Sequence, residues 1–318
     1  MFFLSKLSGL LIFLSFLTTL YSYFFSENLL IIAGIFAWVS FLILFSSLKN
    51  KTIIIVLLIL SVFAFCFSYF NGYKIDFVKV FTVNQYLLTL LIGVGFLRLI
   101  ATPKKDKLTQ FPIGKDSFIK TYFGVHLFGS VINLSSLILV ADKMYKKSPL
   151  TNTQVVLLTR AFASDAYWSP FFVAFAAAIT YAPKLDTSII LLNGIVLAFF
   201  AFLITYFEVV KNKEFKLDEF RGYPLSFESL YVPFILAILV LVTNYIYPNI
   251  KVIVLISTFS IFITLLIFPF KKGLSQSLIK FNNHVIEELP KMKVEIALFL
   301  VAGMFGISIS SILIGLNL

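Results

Sequence analysis

Charge is what this chain has little of. Asp, Glu, Lys and Arg make up 13% of its 318 residues, about half the share of an average soluble domain. That scarcity excludes a soluble enzyme, and the 60% apolar content excludes a disordered chain. Cysteine is limited to Cys66, inside an apolar run, so neither an intrachain disulfide nor a cysteine metal site can form. Acidic residues number 15 against 26 basic ones. No small-x-small cleavage site follows the first apolar run, so residues 1–25 read as a retained helix and not as a signal peptide. Nucleotide-binding loops, metal-ligand clusters and nucleophile–His–acid sets are all missing from the motif pattern. The expectation is a protein that is not an enzyme and needs no resident cofactor or metal.

What the chain does have is long apolar runs. They cover 7–25, 28–46, 52–70, 83–100, 118–142, 153–181, 188–210, 230–248, 250–268 and 294–316. Most have the length of a bilayer-crossing helix. The sequence thus predicts an all-α polytopic membrane protein. Two shorter stretches, 71–82 and 274–289, are amphipathic and read as helices lying in the interface. The net charge of +11 is not a nucleic-acid signal, because the lysines sit mostly in short loops, where they set membrane orientation.

That orientation argues for an irregular element. If every run crossed once from an inside N-terminus, the loops 143–152 and 211–229 would put seven basic residues outside, against the positive-inside bias. Folding 118–142 into a re-entrant hairpin moves both loops inside. Four basic residues (Lys74, Lys79, Lys184 and Lys251) then stay outside and Arg160 lies within a span, which leaves 21 of the 26 inside. The result is about nine transmembrane helices plus one hairpin, in the cytoplasmic (inner) membrane with the N-terminus inside.

The hairpin and the run after it carry the polar chemistry. The hairpin's middle reads Asn133-Leu134-Ser135-Ser136 between apolar arms, with His126 in the first arm. Non-helical backbone at membrane depth is tolerated where protein or a cavity covers it. The run 153–181 is too long for one simple span, and Pro170 interrupts it. It reads as two half-helices, 153–163 and 171–181, joined by an unwound polar stretch, and the middle of the run, 160–170, holds Arg160, Ser164, Asp165, Trp168 and Ser169. Intramembrane ionisable residues are functional candidates. Asn133, Ser135, Ser136, Arg160, Ser164 and Ser169 are expected to bind a solute, with Arg160 attracting an anion. Asn133, Asp165 and His126 are expected to serve a coupling ion, Na+ or H+. Arg160 and Asp165 are expected to pair. Trp168 can be an interface anchor, and His284 is expected on the solvated surface.

A hairpin beside a broken helix is the arrangement of secondary transporters built from inverted repeats. The series 28–46, 52–70, 71–82, 83–100 recurs in order as 230–248, 250–268, 274–289, 294–316, with opposite derived orientation. This divides the chain into a lead helix (1–27), a first repeat (28–210), a cytoplasmic linker (211–229) and a partial second repeat (230–318). The second repeat is expected to be incomplete, because the series stops before a second hairpin and broken helix. The layout resembles the ion transporter superfamily, which includes divalent-anion/sodium symporters and arsenite-permease-like carriers. That family places a Ser-Asn-Thr-like motif at the hairpin tip, where Asn133 falls here. The resemblance implies an ion-coupled secondary transporter (a symporter) of a small anionic solute, working by alternating access. It also implies a homodimer in the lipid bilayer, and no nucleic acid partner. A reading of another class is a non-transporting membrane scaffold, or an inactive truncated transporter fragment.

Overall fold

A computed structural model describes residues 2–49, 51–101, 111–132, 134–182, 186–223 and 231–316. Among them helices dominate, and the β structure is one isolated bridge between Ile113 and Arg221. Seven helices are long and apolar enough to cross a membrane: Phe3–Phe25, Glu27–Phe45, Thr52–Phe70, Phe77–Ile100, Ile189–Lys211, Val252–Lys272 and Leu274–Gly315. The chain is an all-α, multi-pass membrane protein. Along the third of these, Ile59, Phe63 and Phe70 are 62%, 72% and 84% exposed, an apolar surface suited to lipid. Cys66 lies exposed on the same helix.

The chain divides into two compact units, one of residues 1–93 with 268–318 and one of residues 94–267. The first is built on α1 (Phe2–Phe25), α2 (Leu30–Phe45), α3 (Thr52–Phe70), α4 (Phe77–Thr82), the start of α5 (Gln85–Phe96), α14 (Leu274–Asn283) and α15 (Lys293–Gly315). Small polar residues on the inner face of α1 pack without strain. Ser15 donates to Gln85 Oε1 at 3.2 Å, and both residues are buried. Asn84 donates to the carbonyl of Phe299 at 2.7 Å, tying the α4–α5 junction to α15.

Both amphipathic stretches differ from expectation. Within 71–82 only Phe77–Thr82 is helical, started by Asp76, whose carboxylate caps the Lys79 N–H at 3.1 Å. Within 274–289 the helix holds to Asn283 and then widens into a π turn, His284–Glu288. His284 and Val285 are buried, and the Val285 carbonyl lies against Gly9 of α1. His284 is therefore an interior residue. Sequence periodicity at 3.6 residues cannot register a five-residue turn, so the change of face was invisible.

The second unit holds α6 (Arg98–Ala101), α7 (Lys115–Ile132), α8 (Leu134–Tyr145), α9 (Asn152–Ala163), α10 (Val173–Tyr181), α11 (Thr187–Lys211), α12 (Tyr231–Ile246) and most of α13 (Val252–Lys272). α7 and α8 fold back on each other. One straight helix would hold residues 117 and 143 about 39 Å apart. Instead both touch one short segment. Ser117 Oγ accepts the Gly222 N–H at 2.9 Å, and Lys143 donates a short hydrogen bond to the neighbouring Tyr223 hydroxyl. Phe118, Tyr122, Val140, Met144, Leu157 and Tyr223 share one buried cluster. The bridge strands support this base: Gly114 donates to the Phe220 carbonyl and Gly222 to that of Pro112.

Gly222 is required at this base. A Cβ there would meet Thr121 Oγ1 at 2.1 Å and Ser117 Oγ at 2.4 Å. Replacing Gly222 by Leu should destabilise the unit by ~1–3 kcal/mol through overpacking. The expected readout is a lowered midpoint in a thermal or denaturant melt of the detergent-solubilised protein, and an unchanged midpoint would contradict the clasped base.

Candidate functional site

The site is built where a helix stops. Thr151 starts α9 with a reciprocal cap: its hydroxyl accepts from Gln154 N–H, and the Gln154 side chain accepts from Thr151 N–H. The helix runs to Ala163, tightens into a 3₁₀ turn over Ser164–Tyr167, and then opens. Pro170 lacks an N–H and disfavours helix at Ser169. The Ser169 N–H instead turns back to the Asp165 carbonyl at 3.0 Å, and Phe172 is extended before α10 begins at Val173. Two half-helices joined by an unwound polar stretch is the predicted arrangement, with α10 starting two residues later than 171.

Two glycines let this stretch press against its neighbours. A Cβ on Gly194 of α11 would lie 2.0 Å from the Tyr167 carbonyl oxygen, and one on Gly129 of α7 would lie 2.1 Å from Asp165 Oδ2. The Gly129 position also lies beside Ser136 Oγ of α8. The unwound stretch therefore reaches both arms of the hairpin near its tip. Ser169 Oγ donates a short hydrogen bond to the Ser130 carbonyl of the same arm.

At the centre stands Asp165, fully buried. Its Oδ1 lies 2.7 Å from His126 Nδ1. That nitrogen also faces Ser164 Oγ at 2.9 Å and the Ala161 carbonyl at 3.1 Å. It sits among three oxygens and is aligned on the carboxylate by none of its geometry, so both Asp165 oxygens lack a well-directed hydrogen bond among the described residues. On the far side of the ring, Trp168 Nε1–H donates to His126 Nε2 at 3.0 Å. An indole nitrogen can only donate. This assigns the lone pair to Nε2, and in the neutral ring the proton to Nδ1, toward Asp165 and Ser164. Tyr122 completes the wall, its hydroxyl 3.4 Å from Ser164 Oγ. Ser136, Ser164 and Ser169 are all buried, and His126 is 8% exposed. The site is sealed from bulk water in this conformation.

The structure brings together His126, Ser136, Ser164, Asp165 and Ser169 from the expected set. Asn133 and the side chain of Ser135 lie outside the described residues. Arg160 is not in the cluster. Its guanidinium pairs with Glu208 of α11, Nη1 to Oε2 at 2.5 Å and Nη2 to Oε1 at 3.3 Å, with both side chains about two-fifths exposed. Asp165 lies five positions after Arg160, beyond the end of α9, and a helical rotation of about 140° turns the two apart, so the expected Arg160–Asp165 pair does not form. Trp168 is a site residue and not only an anchor. Tyr122, Ser130 and Glu208 escaped the sequence reading. Tyr122 was within reach of it, lying one helical turn before His126 on the same face.

No protein-family model matches the chain, and comparisons with curated proteins and with solved structures find no significant match. The site is therefore interpreted from its chemistry alone.

The Asp165–His126 contact and the Arg160–Glu208 pair should separate in stability measurements. Asp165→Ala removes the His126 contact and leaves a void at a fully buried position, and should cost about 2 kcal/mol or more. Arg160→Ala opens a partly exposed pair and should cost about 1 kcal/mol or less. Chemical unfolding of the detergent-solubilised variants measures both, and equal losses would contradict the assignment.

Proposed function

We propose that this protein is an ion-coupled secondary transporter in which the His126–Asp165 contact holds the coupling ion, a proton. The observation that carries this is a fully buried carboxylate with no directed hydrogen bond among the described residues, touching a titratable ring between the α7–α8 hairpin and the unwound stretch. An uncompensated buried charge is costly, and intramembrane ionisable groups mark ion pathways. A proton resolves that cost. Sodium is the poorer candidate, because the closest partner of Asp165 is an imidazole nitrogen and not an oxygen.

The topology supports the same reading. The seven long helices, the broken helix α9–α10 and α12 supply nine crossings, and the α7–α8 pair is the re-entrant hairpin. The bias of basic residues to one side favours an inside N-terminus. The recurring order of apolar runs in 28–100 and 230–316 supports an inverted repeat of the kind found in the ion transporter superfamily.

The cargo is a small anion. With Arg160 engaged by Glu208, the positive charge for an anion comes from His126 once protonated. A protonated ring donates from both nitrogens, so the Trp168 N–H must leave Nε2. The serine hydroxyls of Ser136, Ser164 and Ser169 then supply neutral ligands, with Asn133 and Ser135 from the hairpin tip. The charged and titratable groups facing the ring are Asp165 from the unwound stretch and Tyr122 from α7. With Asp165 carrying its own proton the site is neutral, and a further proton on His126 and one anion enter together because each compensates the other's charge.

Proteoliposomes of the purified chain test this with an imposed inward proton gradient and a panel of small inorganic and carboxylate anions. At least one anion should accumulate only with the gradient. Asp165→Asn and His126→Gln should lower that uptake about tenfold or more, the scale of a lost hydrogen bond to a charged group. Arg160→Gln should keep it. Absence of gradient-dependent uptake across the panel, or wild-type uptake in Asp165→Asn, would overturn the proposal.

A further inference from the structure

The first unit contains a second polar feature, unrelated to the His126 site. A cavity of about 570 Å³ opens where the start of α1, the end of α2 and the turn into α15 meet. One wall is apolar, with Leu4, Ile43 and Pro290. The mouth is polar, with Ser46, Ser47 and Lys293. The residues bracket a polar–apolar boundary, since each of the three helices is mainly apolar further along its length.

Two cations, Lys293 in the lining and Lys51 just outside it, are held by neutral oxygens. Lys293 Nζ donates to the Ser47 carbonyl at 2.8 Å and to Ser47 Oγ at 3.1 Å. Lys51 Nζ donates to the Ser46 carbonyl at 3.0 Å. Both ammoniums thus sit at the negative end of α2. Neither has a carboxylate partner among the described residues. Lys291 is already neutralised by Glu288, and Glu287 is the one acidic group lining the cavity. In the lining Lys293 stands against Glu287, and Lys51, bound to Ser46 just outside the lining, supplies the one excess positive charge.

We propose that this cavity binds the headgroup of an anionic glycerophospholipid in the leaflet on the side of the N-terminus. Basic pockets between membrane helices take such headgroups. The phosphodiester lies between the Lys293 ammonium and the Ser46 and Ser47 hydroxyls, with Lys51 beside it. An acyl chain runs along Leu4 and Ile43, and Glu287 accepts from a headgroup hydroxyl. A free phosphate would use the mouth but leave the apolar wall unused. The adjoining α14 presents Leu274, Leu278 and Ile279 in the open, each more than half exposed, which suits a helix at the lipid interface.

Native mass spectrometry of the full-length detergent-solubilised protein, titrated with phosphatidylglycerol, tests the site. Lys293→Gln should weaken the tightest lipid-binding step about fivefold, the effect of one lysine near an anionic headgroup, and Lys293→Arg should preserve it. Phosphatidylcholine should bind more weakly than phosphatidylglycerol to the wild type and equally to Lys293→Gln. Should Lys293→Gln fail to fold, Lys51→Gln provides the same comparison. Equal lipid affinity in wild type and both glutamine variants would overturn the proposal. Competition of inorganic phosphate with the lipid at similar concentration would overturn the lipid assignment in favour of a free anion.

Discussion

Asp165 has no contact with solvent, and its nearest polar neighbour is the imidazole of His126 at 2.7 Å. Much of the second unit is arranged so that this contact can exist. The carboxylate leaves a helix axis only because α9 tightens into a 3₁₀ turn and Pro170 prevents the α-helix from resuming. It fits between the hairpin arms only because residue 129 has no side chain. Its partner stays in place because Trp168 holds the opposite ring nitrogen. A fully helical 153–181 would point residue 165 elsewhere and leave His126 facing apolar neighbours.

The hairpin contributes by being anchored at the end away from the site. Its base is clasped by residues 220–223, through Ser117, Thr121 and Lys143, and by the buried cluster around Phe118 and Met144. Its other end meets the unwound stretch through polar contacts: the Ser169–Ser130 hydrogen bond and the close approach of Asp165 to Gly129. Apolar packing is dense and resists small displacement. Hydrogen bonds to backbone carbonyls can be exchanged for others at small net cost. On the proposed reading, a rigid base with an exchangeable tip is the mechanical division that a gating element needs.

Much of this was legible in the sequence, for reasons tied to particular residues. The apolar runs are decided by composition. The fold-back of 118–142 came from Lys143, Lys146 and Lys147, whose charge could not be reconciled with a simple crossing. The break near Pro170 follows from a missing donor. What stayed hidden depends on azimuth and on distant partners. Arg160 and Asp165 are near in sequence, but five helical residues turn them apart, and the partner of Arg160 is 48 positions away in α11. The partner of Asp165 lies 39 positions before it in α7. The π turn at His284–Glu288 shifts a helical face without any compositional mark.

The exchange of partners alters what the site can do. A guanidinium beside Asp165 would have been permanently charged, since arginine does not lose its proton in proteins. Such a pair would attract an anion at every stage of a transport cycle and give no reason for release. Histidine differs, because its charge is conditional near neutral pH. In the described arrangement the Trp168 N–H occupies the ring nitrogen that would take the second proton. Protonation therefore requires the indole to move, and the indole belongs to the same unwound stretch as Asp165, Ser164 and Ser169. On the proposed reading, the arrival of a proton and the rearrangement of the solute's ligands are one event, and coupling follows from the shared segment without a separate relay.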